Sequence, residues 1–246
     1  NSKFYNPGLF KTPFPPFLFL LKKWGAKIIW KKKIRIAIDS PAAAGAGSQA
    51  VLIAKYYKLL YLDTGKIYRF VGSLRIKHKE NFNYVLIKKK IKKLKTKDLQ
   101  NKNLLSNKVA LEASKIAKDI KIRKIVYDFQ VRCTKNPPKK FDGIIMDGRD
   151  ITSVIMKDAE LKFFITANIK TRALRRYKEL KSLKKNISYE EVLKSIKKRD
   201  KSDYTRKHSP LKKTKDSILI NTTNLTKRAC FLKIKQIINN KINGNL

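Results

Sequence analysis

Ile36-Ala-Ile-Asp-Ser-Pro-Ala-Ala-Ala-Gly-Ala-Gly-Ser-Gln-Ala50 runs from a short apolar strand through a loop of small residues into a helical pattern. Backbone N–H groups at a helix start are unpaired and carry partial positive charge, so they attract anions. Gly45 and Gly47 permit backbone angles that other residues resist. The Ser48 hydroxyl suits a phosphate or a magnesium-bound water. This is the layout of a phosphate-binding loop, but the pattern G-x-x-x-x-G-K-[ST] fails: Ser40 stands where the first glycine belongs and Ala46 where the lysine belongs. Without that lysine the loop lacks a charge-assisted contact, a kind roughly twice as strong as a neutral hydrogen bond. From the loop alone, phosphate binding and an ordinary strand–turn–helix packed with small residues stand equally open.

Outward from the loop, short β-rich runs fall at residues 34–39, 59–62, 143–146, 161–166 and 217–221, as in strands covered on both faces. Helical patterns separate them at 48–58, 106–120, 169–180, 188–201 and 226–239. Alternating strands and helices imply an α/β fold, an open parallel sheet with helices on both faces. Residues 77–103, with Lys88-Lys-Lys-Ile-Lys-Lys-Leu-Lys95, read as a mobile, solvated subdomain or long excursion. Residues 1–33 read as a poorly ordered extension. Their apolar run Phe14-Pro-Pro-Phe-Leu-Phe-Leu-Leu21 is too short to cross a bilayer, and its basic residues come after it, the wrong order for a signal peptide.

The 246 residues carry 60 Lys and Arg against 18 Asp and Glu, a formal net charge of +42. Such a surface attracts polyanions and repels itself. The excess is spread over every segment and forms no interleaved patch, so no specific nucleic acid is expected. Cys133, Cys230, His78 and His208 stand singly, without metal-ligand spacing. They argue against metal–histidine or Ser-His-Asp chemistry and for a reducing, cytoplasmic setting.

In open parallel sheets ligands sit beyond the carboxyl ends of the strands. Three further segments fall there: Asp63-Thr-Gly-Lys-Ile-Tyr-Arg69, Asp147-Gly-Arg-Asp150 and Arg199-Asp-Lys-Ser-Asp-Tyr-Thr-Arg206. They contribute Arg69, Arg149, Arg199 and Arg206, whose guanidinium groups clamp phosphates bidentately. Asp150 and Asp203 among them suit a sugar hydroxyl, an arginine or a magnesium shell. Any one arginine alone is as well explained by a surface salt bridge; the set, beside a phosphate-loop layout, points to phosphoryl transfer.

These segments, taken in order, resemble the bacterial cytidylate kinases. Leu62-Asp-Thr-Gly-Lys-Ile-Tyr-Arg69 is similar to that family's L-D-[ST]-G-x-x-Y-R motif, and Asp147-Gly-Arg-Asp150 to its D-G-R-D. Asp158 to Ala167 resembles the strand that follows, Arg172-Ala-Leu-Arg-Arg-Tyr-Lys-Glu-Leu180 the helix leading to the lid, and Arg199 to Arg206 with Ser209-Pro-Leu211 the lid's arginine run. The resemblance covers roughly residues 34–240. It implies a P-loop nucleoside monophosphate kinase fold with an NMP-binding insert near 72–125, a lid near 180–208 and a tail at 241–246. The implied partners are ATP, with Mg²⁺ as its cofactor, and CMP or dCMP. By the same resemblance Ser40, Pro41, Ala42, Ala43, Ala44, Gly45, Ala46, Gly47, Ser48 and Arg172 are the ATP-binding positions, with Ser48 toward Mg²⁺, directly or through water. Thr64, Arg69, Ser114, Arg123, Arg149, Asp150, Asp203 and Arg206 are the CMP-binding positions. Ser114, Arg149 and Asp150 are implied to read the cytosine, Asp203 a sugar hydroxyl, and Arg69, Arg123 and Arg206 the CMP phosphate. Arg149, Arg199 and Arg206 carry the catalytic roles. The chain is expected to act as a monomer.

Two departures from the family pattern matter. The loop lacks its lysine, and the segment between Arg75 and Leu104 is shorter and more basic than the family's insert. Lys55 and Lys66 are the neighbouring cations open to replace the lysine; an uncompensated loss costs about 2–4 kcal/mol of transition-state stabilisation. A non-catalytic nucleotide-binding homologue and a basic nucleic-acid-binding module remain as alternatives, and Gly45 to Ala50 also fits an adenylate kinase.

Overall fold

A computed structural model of the chain describes residues 33–183 and 186–244; apart from Lys33, the extension expected over 1–33 lies outside the described residues. Five strands form one parallel sheet: β1 (Ile34–Asp39), β2 (Leu60–Asp63), β3 (Gly143–Gly148), β4 (Leu161–Thr166) and β5 (Ile218–Asn221). Their spatial order is β2-β3-β1-β4-β5. The chain moves from β1 to one side of the sheet, returns through β3, and crosses to β4 on the other side. The crevice beyond the end of β1 is therefore the topological switch point, the expected ligand position in such sheets. The register pairs Asp39 with Gly148 and Asp63 with Asp147, so three strand ends lie side by side.

Side chains alternate across β1. Ile36 and Ile38 enter one core with Ile53 of α1 (Ala46–Tyr56), Phe163, Ile165, Ile220, and Ile234 and Ile238 at the far end of the chain. Ala37 enters the opposite core with Leu62, Ile144 and Met146. That second core is roofed by α2 (Thr64–His78), α3 (Tyr84–Lys93) and α5 (Ile120–Lys135), with α4 (Asn107–Ile116) packed on α2. A third, smaller cluster joins α6 (Ile169–Ser182) to α7 (Tyr189–Thr205) through Ala173, Leu180, Val192 and Ile196. The last helix, α8 (Lys227–Ile242), lies against α1. The parallel sheet with helices on both faces is the architecture expected from the alternating pattern.

Several expectations need correcting. Residues 77–103 are no solvated excursion. Ile87 and Ile91, one helical turn apart, are fully buried beneath the sheet's second face, and Leu94 and Leu99 follow them in. The lysines between them are the outer face of a docked amphipathic helix. The single helix expected over 106–120 is two: α4 stops at Ile116, and the Asp119 carboxylate accepts from the Lys121 and Ile122 amides to start α5. Helices α2 and α5 are not evident from apolar periodicity, because the arginines and lysines within them mask the apolar stripe.

Candidate active site at the strand ends

Gly45 caps α1 with φ +93°, and Ala43 takes φ +59°, so the loop curls through left-handed backbone twice in three residues. Its carbonyls are held from the protein side. Arg172 Nη1 donates to Ala42 O at 3.1 Å and Thr222 Oγ1 to Ala44 O at 3.0 Å, while the Ser40 amide donates to Gly148 O at 3.2 Å. Among the described residues, none of the amides of residues 43–48 donates to a backbone carbonyl beyond the helix ladder. Ser48 is exposed at the same end of α1, and Ala42, Ala44 and Ala46 are buried. The result is a turn with free amides at a helix start, a cradle for an anion that owes nothing to a side-chain cation.

The end of β3 closes one side of this turn. Asp147 accepts from the Tyr61 hydroxyl at 2.9 Å, and its other oxygen would lie 3.5 Å from a Cβ at Gly47. Desolvation, and then the neighbouring Asp63 carboxylate, push Asp147 up to about 7. Asp63 caps α2 by accepting from the Lys66 amide at 3.2 Å. Thr64 gives its hydroxyl to Asp147 O at 2.8 Å. A side chain at Gly148 would come within 2.5 Å of Thr64 Oγ1, which explains the glycine in Asp147-Gly-Arg-Asp150.

Arginines from α5, from α7 and its C-terminal cap, and from the loop after β3 meet around two aspartates. Asp150 is paired with Arg123 and lies 4.0 Å from Arg206 Nη2. Asp203 accepts from Arg149 Nε at 2.8 Å and lies 3.7 Å from Arg206 Nη1 and 3.9 Å from Arg199 Nε. Arg206 Nη2 is buried without a hydrogen bond. The Arg149 guanidinium, and then burial, bring Arg199 down to about 10. Burial lowers Arg69 and Arg206 as well, and Arg123 is a like-charged neighbour of Arg206. Arg69 donates to Leu104 O at 2.9 Å. Burial raises the Tyr68 hydroxyl to about 12, and the Arg123 guanidinium lies 5.7 Å from the centre of its ring. Positive charge that is crowded and partly dehydrated in this way is relieved by an anion.

Of the positions singled out from sequence, Arg69, Arg123, Arg149, Asp150, Arg199, Asp203 and Arg206 come together, and Thr64 lies at the neighbouring strand end. Ser114 does not join them: it is exposed on α4 and its hydroxyl donates to Ala110 O of its own helix. Arg172, expected among the ATP-binding residues, is committed inside the protein. It donates to Ala167 O and Ala42 O and pairs with Asp200 at 2.6 Å, so it braces the loop against α7 from behind. Sequence reasoning gave no role to Arg176, whose charge acts on both Arg69 and Arg199, nor to Asp147 and Asp200. The signal for Arg176 was its place four residues after Arg172 on α6, readable once that helix is known to face the arginine group.

Among the described residues no helix is long and apolar enough to cross a membrane, and no group of three His, Cys, Asp or Glu is placed to hold a metal ion. The sequence profile of the family described as cytidylate kinase matches residues 36–240. The chain is 38% identical over 218 residues to the cytidylate kinase of Thermosipho melanesiensis, covering 84% of this chain and 97% of that one. It is 40% identical over 203 residues to the cytidylate kinase of Bartonella tribocorum, covering 81% and 92%. It is 39% identical over 216 residues to that of Clostridium botulinum, strain Loch Maree, covering 83% and 97%. The fold is also similar to a crystal structure of an uncharacterized protein from Eubacterium ventriosum, at a TM-score of 0.51 and 17% identity, over 84% of this chain and 98% of that one.

Proposed function

The chain belongs to the cytidylate kinase family, and on that premise we propose that it transfers the γ-phosphoryl group of ATP to CMP or dCMP, giving ADP and CDP or dCDP. The observation that carries this reading is the arginine group gathered on Asp150 and Asp203 beside a loop of free amides. One element suits the donor's phosphates and the other an acceptor's phosphate. Two nucleotides repel each other, and phosphoryl transfer asks mainly for positioning and charge neutralisation.

In this mechanism the amides of residues 43–48 hold the donor phosphates. Arg69, Arg123 and Arg206 take the CMP phosphate. Arg149 and Asp150, with Ser114 brought in as α4 closes on substrate, read the cytosine, and Asp203 accepts a sugar hydroxyl. Arg199 and Arg206 reach the transferring group once α7 folds over it, and closure keeps water from the donor. The attacking phosphate oxygen is already ionised, so the site needs no side-chain base.

Mg²⁺ fits the residues present. The exposed Ser48 hydroxyl and the Asp147 carboxylate, raised by burial and by Asp63, are hard oxygen donors beside the loop. When bound, the ion screens the negative charge of the donor phosphates. The same reading takes the protein as a cytoplasmic monomer, which sedimentation of the purified chain tests.

Family membership and the retained arginines favour turnover over a merely nucleotide-binding homologue. Coupled measurement of ADP release from ATP and Mg²⁺, with CMP, dCMP, UMP or AMP as acceptor, tests the proposal. CMP and dCMP should turn over fastest; equal rates with and without acceptor would refute it. Arg206→Ala should cut kcat by about 10²–10³-fold, the usual loss for one transition-state charge contact, and normal activity would remove the lid assignment.

A further inference from the structure

The phosphate-binding loop has alanine where its cation belongs, yet the chain belongs to a kinase family, so the charge must come from elsewhere or be missing. Of the two neighbouring lysines, Lys55 stands nine residues along α1 from Ala46, about 13 Å by helical rise, at the end that points away from the loop. The arginines behind the loop are committed: Arg172 to Ala42 O, Ala167 O and Asp200, and Arg175 to both oxygens of Thr222.

Lys66 is placed differently. It lies in the first turn of α2, its amide capped by Asp63, and strand register sets Asp63 beside Asp147. Asp147 in turn faces Gly47, one residue past the missing lysine. The half-buried Lys66 side chain is near enough for its charge to act on Asp147, and among the described residues its ammonium takes part in no ion pair within 4.0 Å and no hydrogen bond. Its flexible four-carbon stem thus starts from the turn whose cap, Asp63, is in register with Asp147, the residue that faces the loop at Gly47. Lysine suits the task, since its compact charge on a flexible stem does not depend on fork geometry.

We propose that Lys66, reaching in from the first turn of α2, supplies the cation that Ala46 cannot, by contacting the β- and γ-phosphates of the donor nucleotide. This rests on the kinase reading and adds to it a residue that the loop pattern does not contain.

The test is a cycle of Lys66→Met, Ala46→Lys and the double variant, with thermal midpoints to establish folding. Lys66→Met should lower kcat by about 10²-fold or more, the range for one electrostatic contact, and weaken a non-hydrolysable ATP analogue while leaving CMP binding unchanged. Ala46→Lys should restore most of the loss in the Lys66→Met background and raise the rate by a clearly smaller factor when Lys66 is present. Lys66→Arg, which keeps the charge, should retain more activity than Lys66→Met. A structural lysine would shift the thermal midpoint and leave the ATP-analogue affinity of the folded protein intact, and that result overturns the assignment. So does an equal gain from Ala46→Lys in both backgrounds. A wild type that forms no CDP would instead overturn the kinase reading; the Lys66 assignment then stands or falls on the ATP-analogue affinity of Lys66→Met.

Discussion

Gly45 and Ala43 show what a single residue costs in this loop. Both adopt positive φ, and a Cβ at Gly45 would meet nothing within 4 Å. Gly45→Ala therefore carries only the left-handed backbone penalty, about 1–2 kcal/mol, and should lower the thermal midpoint by roughly 2–8 °C at 2–4 °C per kcal/mol. Ala43 already bears that penalty, so the same scan on Ala43→Gly should show no loss. Asp147 sets a pH dependence. It stands at about 7 in the fold against 3.8 for a free side chain, so folding takes up a proton between these values. Its contribution to stability is best near pH 4 and is lost as the pH rises through about 7. Asp147→Asn removes that slope. In metal-free buffer the variant should gain on the wild type between pH 5 and pH 8, measured by denaturant unfolding at each pH.

At the scale of elements, Arg172 joins three of them. Its guanidinium touches the carbonyl of Ala42 in the loop, the end of β4 through Ala167, and Asp200 of α7. Arg172 and Asp200 are 6% and 8% exposed, so removing one partner strands a buried charge. Asp200→Ala should cost about 3–5 kcal/mol in chemical denaturation and raise the KM for ATP, because the loop loses its brace. Helix α3 teaches a related point. Its lysine run hid a two-residue apolar stripe, Ile87 and Ile91, and only the second core beneath the sheet shows that two isoleucines suffice to dock it.

For the whole molecule, the formal charge of +42 is the dominant long-range term. Like charges spread over the surface repel at low ionic strength, and the Debye length shrinks to about 10 Å at 0.1 M salt. The thermal midpoint should therefore rise as sodium chloride is raised from 20 to 300 mM; a flat or falling response would show that local ion pairs such as Arg35 with Asp158 and Glu160 outweigh the net repulsion. The same field draws anionic nucleotides toward the crevice without deciding where they sit.

The alternation of β-rich runs with helical patterns was enough to determine a parallel α/β sheet, because apolar periodicity and the right-handed crossover leave few other ways to cover both faces. The ordered motifs, from Leu62 to Arg69 through Arg199 to Arg206, were enough to indicate the family. Tertiary structure alone decided which charged groups meet. It sent Arg172 inward as a brace, left Ser114 on its own helix, brought Arg176 toward Arg69 and Arg199, and set Lys66 rather than Lys55 near the lysine-free turn. Local sequence encodes which face a residue takes; the distance between two charges depends on strand register and helix packing across a hundred residues of chain, and no short window of sequence contains it.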